Sequence, residues 1–277
     1  MNAPTHPATT ILLLRPASTA SGMEVFMVQR HRRSGFLPSA WVFPGGRVDP
    51  QDALPAHPAV HGGDVAMQAL GQDPEVARAT LLAGVRETWE EAGIWLGDPE
   101  PPESTRGPLH RGELGFAELL EQHGARVDLD RVVPWSWWIT PRAEPRRYDT
   151  RFLVARAAGG GRHDDVETTD SRWICPSEAV ELGQDGFPTA PPTWWSLVEL
   201  ATLGASAAEG AVDAVFAAAP TRPVRAIEPM MLFSDVGMRL VLPGNPAHPE
   251  PAIEGLPHEV RMVDRRWRGF EGGTITV

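Results

Sequence analysis

The chain has 277 residues, of which 42% are hydrophobic, and its 25 Lys and Arg against 36 Asp and Glu give a formal charge of −11. Phosphate contacts along a polyanion draw on clustered Lys and Arg, so this balance argues against a nucleic-acid-binding surface. The single cysteine, Cys175, rules out a disulfide framework and points to a reducing compartment. No apolar run approaches the length of a membrane span, and no basic stretch followed by an apolar core opens the chain, so a cytoplasmic, soluble protein is expected.

In chain order, residues 10–16 and 23–30 are predicted to pair as strands across the polar turn 17–22, and residues 41–43 form a short strand ending at Gly45-Gly46. The segment near 53–73 holds Pro55, His57, Pro58, His61, Gly62, Gly63 and Gly71 and is predicted to be a surface loop. A helix starts near Asp73-Pro74-Glu75 and runs to about Ala92: Asp suits the N-cap, Pro the first turn, and Gly93 the stop. Residues 98–108, with four prolines, read as a loop, Phe116–His123 as a helix, and Val132–Ile139, Thr150–Ala157 and Asp170–Cys175 as strands. Pro176 opens a helix, and 191–219 is helical with a break near Gly204 or Gly210. Beyond Pro220, short strands are predicted at Val224–Glu228, Met230–Phe233, Arg239–Leu242 and Arg261–Val263, with a turn at 235–237 and a proline-rich loop over 246–257.

The most informative stretch is Arg86-Glu-Thr-Trp-Glu-Glu-Ala-Gly-Ile94. At about 100° per residue, Glu87, Glu90 and Glu91 fall within one arc, opposite Leu81, Leu82, Val85, Trp89 and Ala92. Like charges three and four residues apart repel, and a cation between them removes that repulsion. Hard oxygen donors at this density suit Mg²⁺ or Mn²⁺. A solvated acidic helix face is the simpler alternative for three glutamates alone.

Together with Gly46 upstream, this stretch resembles the signature of the Nudix hydrolase family, G-x5-E-x7-R-E-U-x-E-E-x-G-U, with U a bulky apolar residue. Arg86, Glu87, Glu90, Glu91, Gly93 and Ile94 match its second half, and Thr88 is an imperfect U. Gly46 to Ile94 spans 49 residues where the pattern needs 23, so 26 are inserted, and Asp52 stands where the pattern has its first glutamate. An insertion here also occurs in the coenzyme A diphosphatase branch. Gln29-Arg30, Phe36 to Ala40, Ile139-Thr140-Pro141, Arg146 to Phe152 and Pro191-Pro192-Thr193 are similar to that branch too.

The resemblance implies an α/β fold, a mixed β-sheet sandwiched between helices, over about 8–200, with 201–277 as a C-terminal extension on the same domain and a candidate homodimer contact. It implies metal-dependent hydrolysis of a pyrophosphate bond in a nucleoside diphosphate compound. The expected substrate is coenzyme A or acyl-coenzyme A, giving 3′,5′-ADP and a phosphopantetheine. ADP-ribose or another nucleotide sugar is the alternative substrate, and a non-catalytic nucleotide-sensing module the alternative role. By the same resemblance Glu87, Glu90, Glu91 and the Gly45 carbonyl hold Mg²⁺ or Mn²⁺, and Arg86 buttresses them through a salt bridge. With the usual glutamate missing, Asp52 or an acid of the insertion is the substitute partner, unless the arginine pairs differently.

Glu167, six residues before Trp173, is a candidate fourth ligand or base, with Asp164, Asp165 and Asp170 competing. Arg30, Arg32 and Arg33 can grip phosphate through forked donors. Arg147 and Arg151 share one strand face and offer the same, while Arg146 faces away. Trp135, Trp137, Trp138, Trp194 and Trp195 are either adenine-stacking or, more simply, core. His57, His61, His110 and His123 show no ligand spacing and receive no role.

Overall fold

The computed structural model describes residues 3–17, 22–35, 37–207, 210–234 and 237–277; most of the predicted turn at 17–22 and of that at 235–237 lies outside them. The first half contains β1 (Thr5–Pro16), β2 (Met23–Arg30), β3 (Trp41–Val42), β4 (Gly45–Arg47), β5 (Val60–His61), α1 (Asp64–Leu70) and α2 (Pro74–Ala92). Next come α3 (Arg106–His110), α4 (Phe116–His123), β6 (Val127–Asp128), β7 (Val132–Ile139), β8 (Arg147–Arg156) and β9 (Thr168–Ile174). The remainder comprises α5 (Pro176–Gly186), α6 (Pro191–Ser206), α7 (Ala211–Ala218), β10 (Ala226–Ile227), β11 (Met230–Ser234), β12 (Gly237–Val241), β13 (Glu259–Val263), β14 (Arg266–Glu271) and β15 (Thr274–Ile275).

A mixed sheet ordered β10-β7-β8-β1-β2-β3 forms the centre, with β4 also paired to β1 and β9 to β2. β1 runs parallel to β8 from Thr5 opposite Arg147 to Leu14 opposite Arg156. Its other edge is divided: Leu14 to Pro16 pair with β2, and Ala8 to Thr10 with β4. Alternate residues of a strand point to opposite faces. Ile11, Leu13, Phe26, Val28, Leu153 and Ala155 therefore face α2, meeting Leu81, Leu82, Val85 and Trp89. Leu12, Leu14, Val25, Met27 and Val154 face α6 and α7, and Leu240, Val260 and Trp267 of the C-terminal sheet β11 to β15 join that same cluster.

α2 begins as the sequence indicates. The Asp73 carboxylate accepts the Glu75 amide at 3.0 Å, Pro74 is the first helical residue, and Gly93 closes the helix with φ +64°. Gly84 lets the helix sit down on the sheet: a Cβ there would lie 2.9 Å from Ile11 Cδ1.

The segment 53–73 differs from the predicted loop. It folds into β5, which pairs parallel to β6, and into α1, whose Ala66 and Leu70 are buried in the α2-side cluster. Arg78 of α2 donates to the Leu54 and Val60 carbonyls at 3.0 and 3.4 Å, and the Gly63 amide donates to Asp130 at 2.8 Å. Its glycines bracket a helix of only seven residues, too short for an apolar period to stand out. The predicted loop 98–108 likewise ends in α3.

Candidate active site

The double glycine is fixed against β1. Thr10 Oγ1 donates to the Pro44 and Phe43 carbonyls at 2.8 and 3.1 Å, and the Ile11 amide donates to Pro44 O at 2.9 Å. The pairing sets Gly45 opposite Thr10 and Gly46 opposite Thr9. A Cβ on Gly45 would lie 2.3 Å from Thr9 O, and one on Gly46 2.3 Å from Glu87 Oε1. β1 thus closes on one glycine and α2 on the other. The Gly45 amide donates to Glu91 Oε2 at 2.9 Å, tying strand and helix together. Gly46→Ala should therefore leave the fold intact but displace Glu87. Displacements of about 1 Å near a reacting centre cost on the order of 10²-fold, and a fall of that size in kcat with unchanged far-UV circular dichroism is expected.

The three glutamates do not form a solvated face. Glu90 and Glu91 are buried, and Glu87 nearly so. Arg86 serves two of them directly. Its Nε and Nη2 fork onto Asp52 Oδ1 and Oδ2 at 2.7 and 3.0 Å, and Nη2 also reaches Arg47 O at 3.0 Å. Its Nη1 donates to Glu87 Oε1 at 3.0 Å and to Glu90 Oε2 at 3.2 Å. Asp52 is thus the acid that replaces the missing glutamate. It is fully buried on a short 3-10 helix at Pro50–Asp52, and the Asp49 amide also donates to it at 2.8 Å.

Arg86 cannot balance so many carboxylates. Burial, and then the Glu90 charge, push Glu87 up to about 8, against the pull of Arg86. Burial and the Glu87 charge raise Glu91 well above the carboxylate range, opposed by the Gly45 amide. Among the described residues, no three carboxylate, imidazole or thiol groups stand in a ready-made metal site, since Glu90 turns to Arg86 and Glu91 to Gly45. The donor set nevertheless fits a hard divalent cation: several buried, under-compensated carboxylates beside a glycine backbone. A pH effect follows. Glu87 binds its proton more tightly when folded, so the stability it contributes is complete below about 4.5, its ordinary value, and is lost as pH rises through about 8. In metal-free buffer Tm should fall from pH 5.5 to 8.5, and Mn²⁺ should raise Tm far more at the upper end; thermal melts with and without Mn²⁺ check this.

Two residues that received no role sit beside the glutamates. Arg106 of α3 is buried and donates from Nε to the Glu90 carbonyl at 2.9 Å, holding the C-terminal end of α2. His110, at the end of α3, places Nδ1 3.7 Å from Glu90 Oε2 and Nε2 3.6 Å from Asp164 Oδ2. They line a cleft of about 350 Å³ together with Glu90, Arg111, Arg162 and Asp164. Neither had a sequence signal, because a lone Arg and a lone His in a loop-like stretch say nothing of the Glu90 carbonyl and carboxylate that the fold brings beside them.

No family model matches the chain. The chain is 30% identical to acyl-coenzyme A diphosphatase NUDT19 of Gallus gallus over 82% of its own length and 73% of that protein. The chain belongs to the Nudix hydrolase family. It is accordingly a pyrophosphohydrolase. The human acyl-coenzyme A diphosphatase NUDT19 is 27% identical over 66% of the chain and 62% of the human protein. A crystal structure of a Nudix hydrolase from Alicyclobacillus acidocaldarius shares the fold, with a TM-score of 0.61, 23% identity, and coverage of 76% of this chain and 96% of that one.

Around the Nudix helix α2, the other sequence-predicted residues divide. Glu167 is exposed on the loop before β9, where its carbonyl accepts the His31 amide at 2.8 Å, and its charge acts on Glu91. Arg30 acts on Glu91 with the opposite sign and donates to Ser34 Oγ at 2.9 and 3.1 Å. Arg32 is exposed on the adjoining turn. Arg147 is committed to the fold: buried, it donates to Glu228 Oε1, Ala3 O and Thr140 O at 2.6, 3.0 and 3.0 Å, so three of its five N–H groups are engaged and the side chain is enclosed. Arg151 is also buried, pairs with Asp149 and stacks 3.6 Å over Trp137, so it too is enclosed. Trp135, Trp138, Trp194 and Trp195 lie in the cluster on the opposite sheet face and are core.

Proposed function

We propose that the protein is a Mg²⁺- or Mn²⁺-dependent hydrolase of coenzyme A or acyl-coenzyme A, cleaving the diphosphate to 3′,5′-ADP and phosphopantetheine or its acylated form. The carrying observation is the gathering of Glu87, Glu90 and Glu91 against Gly45-Gly46, with Arg86 bonded to Glu87 and Glu90 and the Gly45 amide to Glu91. The similarity to acyl-coenzyme A diphosphatases supports the substrate class.

Hydrolysis of a diphosphate needs a positioned water, neutralised charge and in-line geometry. Glu87, Glu90, Glu91 and the Gly45 carbonyl are the groups that would hold divalent cations. Bound there, such ions acidify water and neutralise the non-bridging oxygens. Arg86 keeps Glu87 and Glu90 on one side of the helix. Glu167, exposed on the loop before β9 and near enough for its charge to act on Glu91, is the candidate base that would accept the water proton as oxygen attacks phosphorus and the bond to the bridging oxygen breaks. Arg30, the last residue of β2, and Arg32, on the turn that follows, are the cations that would take the substrate phosphates.

The test is an activity screen of the purified protein against coenzyme A, acyl-coenzyme A, ADP-ribose, NADH and nucleoside triphosphates, with and without divalent metal. Metal-dependent release of 3′,5′-ADP at the highest rate is the expected result. Brisk ADP-ribose cleavage with intact coenzyme A would reverse the substrate assignment.

A further inference from the structure

We propose that His110 is a positioning residue for Glu90, donating from Nδ1 to its carboxylate and thereby setting how tightly a divalent cation binds there. The inference rests on the proposed metal-binding role of Glu90.

Three observations carry it. First, α3 grips residue 90 from two directions. Arg106 Nε bonds its backbone carbonyl at 2.9 Å, and His110 Nδ1 faces its side chain at 3.7 Å. Second, the far edge of the imidazole rests on an anchored group. Asp164 Oδ1 accepts the Val166 and Thr168 amides at 3.1 and 2.9 Å and Thr168 Oγ1 at 2.6 Å, while Oδ2 accepts the Glu167 amide at 3.1 Å. That same Oδ2 lies 3.6 Å from His110 Nε2. Third, His110 Nδ1 is buried and, among the described residues, has no hydrogen-bond partner. Buried polar atoms are overwhelmingly paired, so this atom lacks something.

Flanked by carboxylates on both edges, the ring serves as a donor, and the N–H at Nδ1 is the one facing Glu90. The 3.7 Å separation exceeds a hydrogen bond by a few tenths of an ångström, and contacts of this kind are commonly long before ligands bind. Arg86 Nη1 already reaches both Glu90 oxygens at 3.2 and 3.3 Å, so His110 is the second donor on Oε2; loss of a hydrogen-bond partner of a ligating carboxylate typically weakens metal binding 10- to 100-fold.

The experiment measures Mn²⁺ dissociation constants of the full chain by the electron paramagnetic resonance signal of free Mn²⁺. His110→Ala should weaken binding roughly 10- to 100-fold. His110→Asn, whose Nδ2 is attached to Cγ as Nδ1 is in histidine, should restore binding close to wild type. Should the alanine variant fail to fold, His110→Phe, which fills the ring's space without a donor, replaces it. Wild-type affinity in the variant without a donor, or an Asn variant as weak as that one, overturns the inference. Glu90→Gln separates the two levels: weakened Mn²⁺ binding there with unchanged binding in His110→Ala sinks only the role of His110, whereas unchanged binding in Glu90→Gln removes the metal reading itself.

Discussion

Replacing Glu90 and Glu91 together by Gln should lower turnover at least roughly 10³-fold, since single preorganised electrostatic contacts already account for about 10²–10³. The same variant should melt at a higher temperature than wild type in metal-free buffer at pH 8. Both carboxylates are buried, and burial holds both above their ordinary range. Glutamine keeps the shape and removes the desolvated charge. At position 91 its amide oxygen still accepts the Gly45 N–H, so the strand–helix tie survives. The Mn²⁺-dependent rise in Tm should vanish along with turnover. Loss of activity alone is also what a misfolded variant would show; loss of activity with a gain in metal-free stability identifies a site held in tension for a cation. Product-release kinetics and paired thermal melts read both quantities, and a variant that is active, or less stable than wild type without metal, refutes the account.

What the sequence made legible follows the strength of its local signals. α2 was readable end to end because Asp73, Pro74 and Gly93 each have a separate physical reason to stand where they do. Phe116–His123 and Val132–Ile139 agree residue for residue with the expected helix and strand. The acidic face was readable as a pattern but not in its burial. A helical projection opposes glutamates to leucines, yet the β4 turn and α3 close over the glutamates from outside the helix. Asp52 as partner of Arg86 was one alternative among several, and only the tertiary fold brings the two together across 34 positions. The partner of Arg147 was not legible, because a strand face says which way a side chain points and nothing about Glu228, 81 residues away. His110 and Arg106 were invisible for the same reason. α1 and the strand pair β14–β15 were missed because elements this short carry little periodicity.

Arg86→Ala is expected to destabilise the protein by about 3–5 kcal/mol, the usual consequence of stripping one partner from a buried ion pair. That corresponds to a fall in Tm of roughly 10 °C for a chain of this size. Arg86 is 2% exposed and Asp52 0%, so no solvent replaces the lost fork. Arg86→Lys keeps the charge but offers a single ammonium where six acceptor atoms are now served, and it should recover only part of the loss. Pairing Arg86→Met with Asp52→Leu should return most of the stability, because a buried ion pair and a well-packed apolar pair are often equivalent in free energy. Activity should not return, because Glu87 and Glu90 would still lack the donor that aligns them. The double-mutant cycle built from urea melts thus separates the two duties of one side chain: a large coupling energy between 52 and 86 reports the fork, and the persistent catalytic defect reports the alignment. An Arg86→Ala protein within about 1 kcal/mol of wild type would show that the buried carboxylates are already neutral in the folded chain, and the electrostatic account of the site would fall with it.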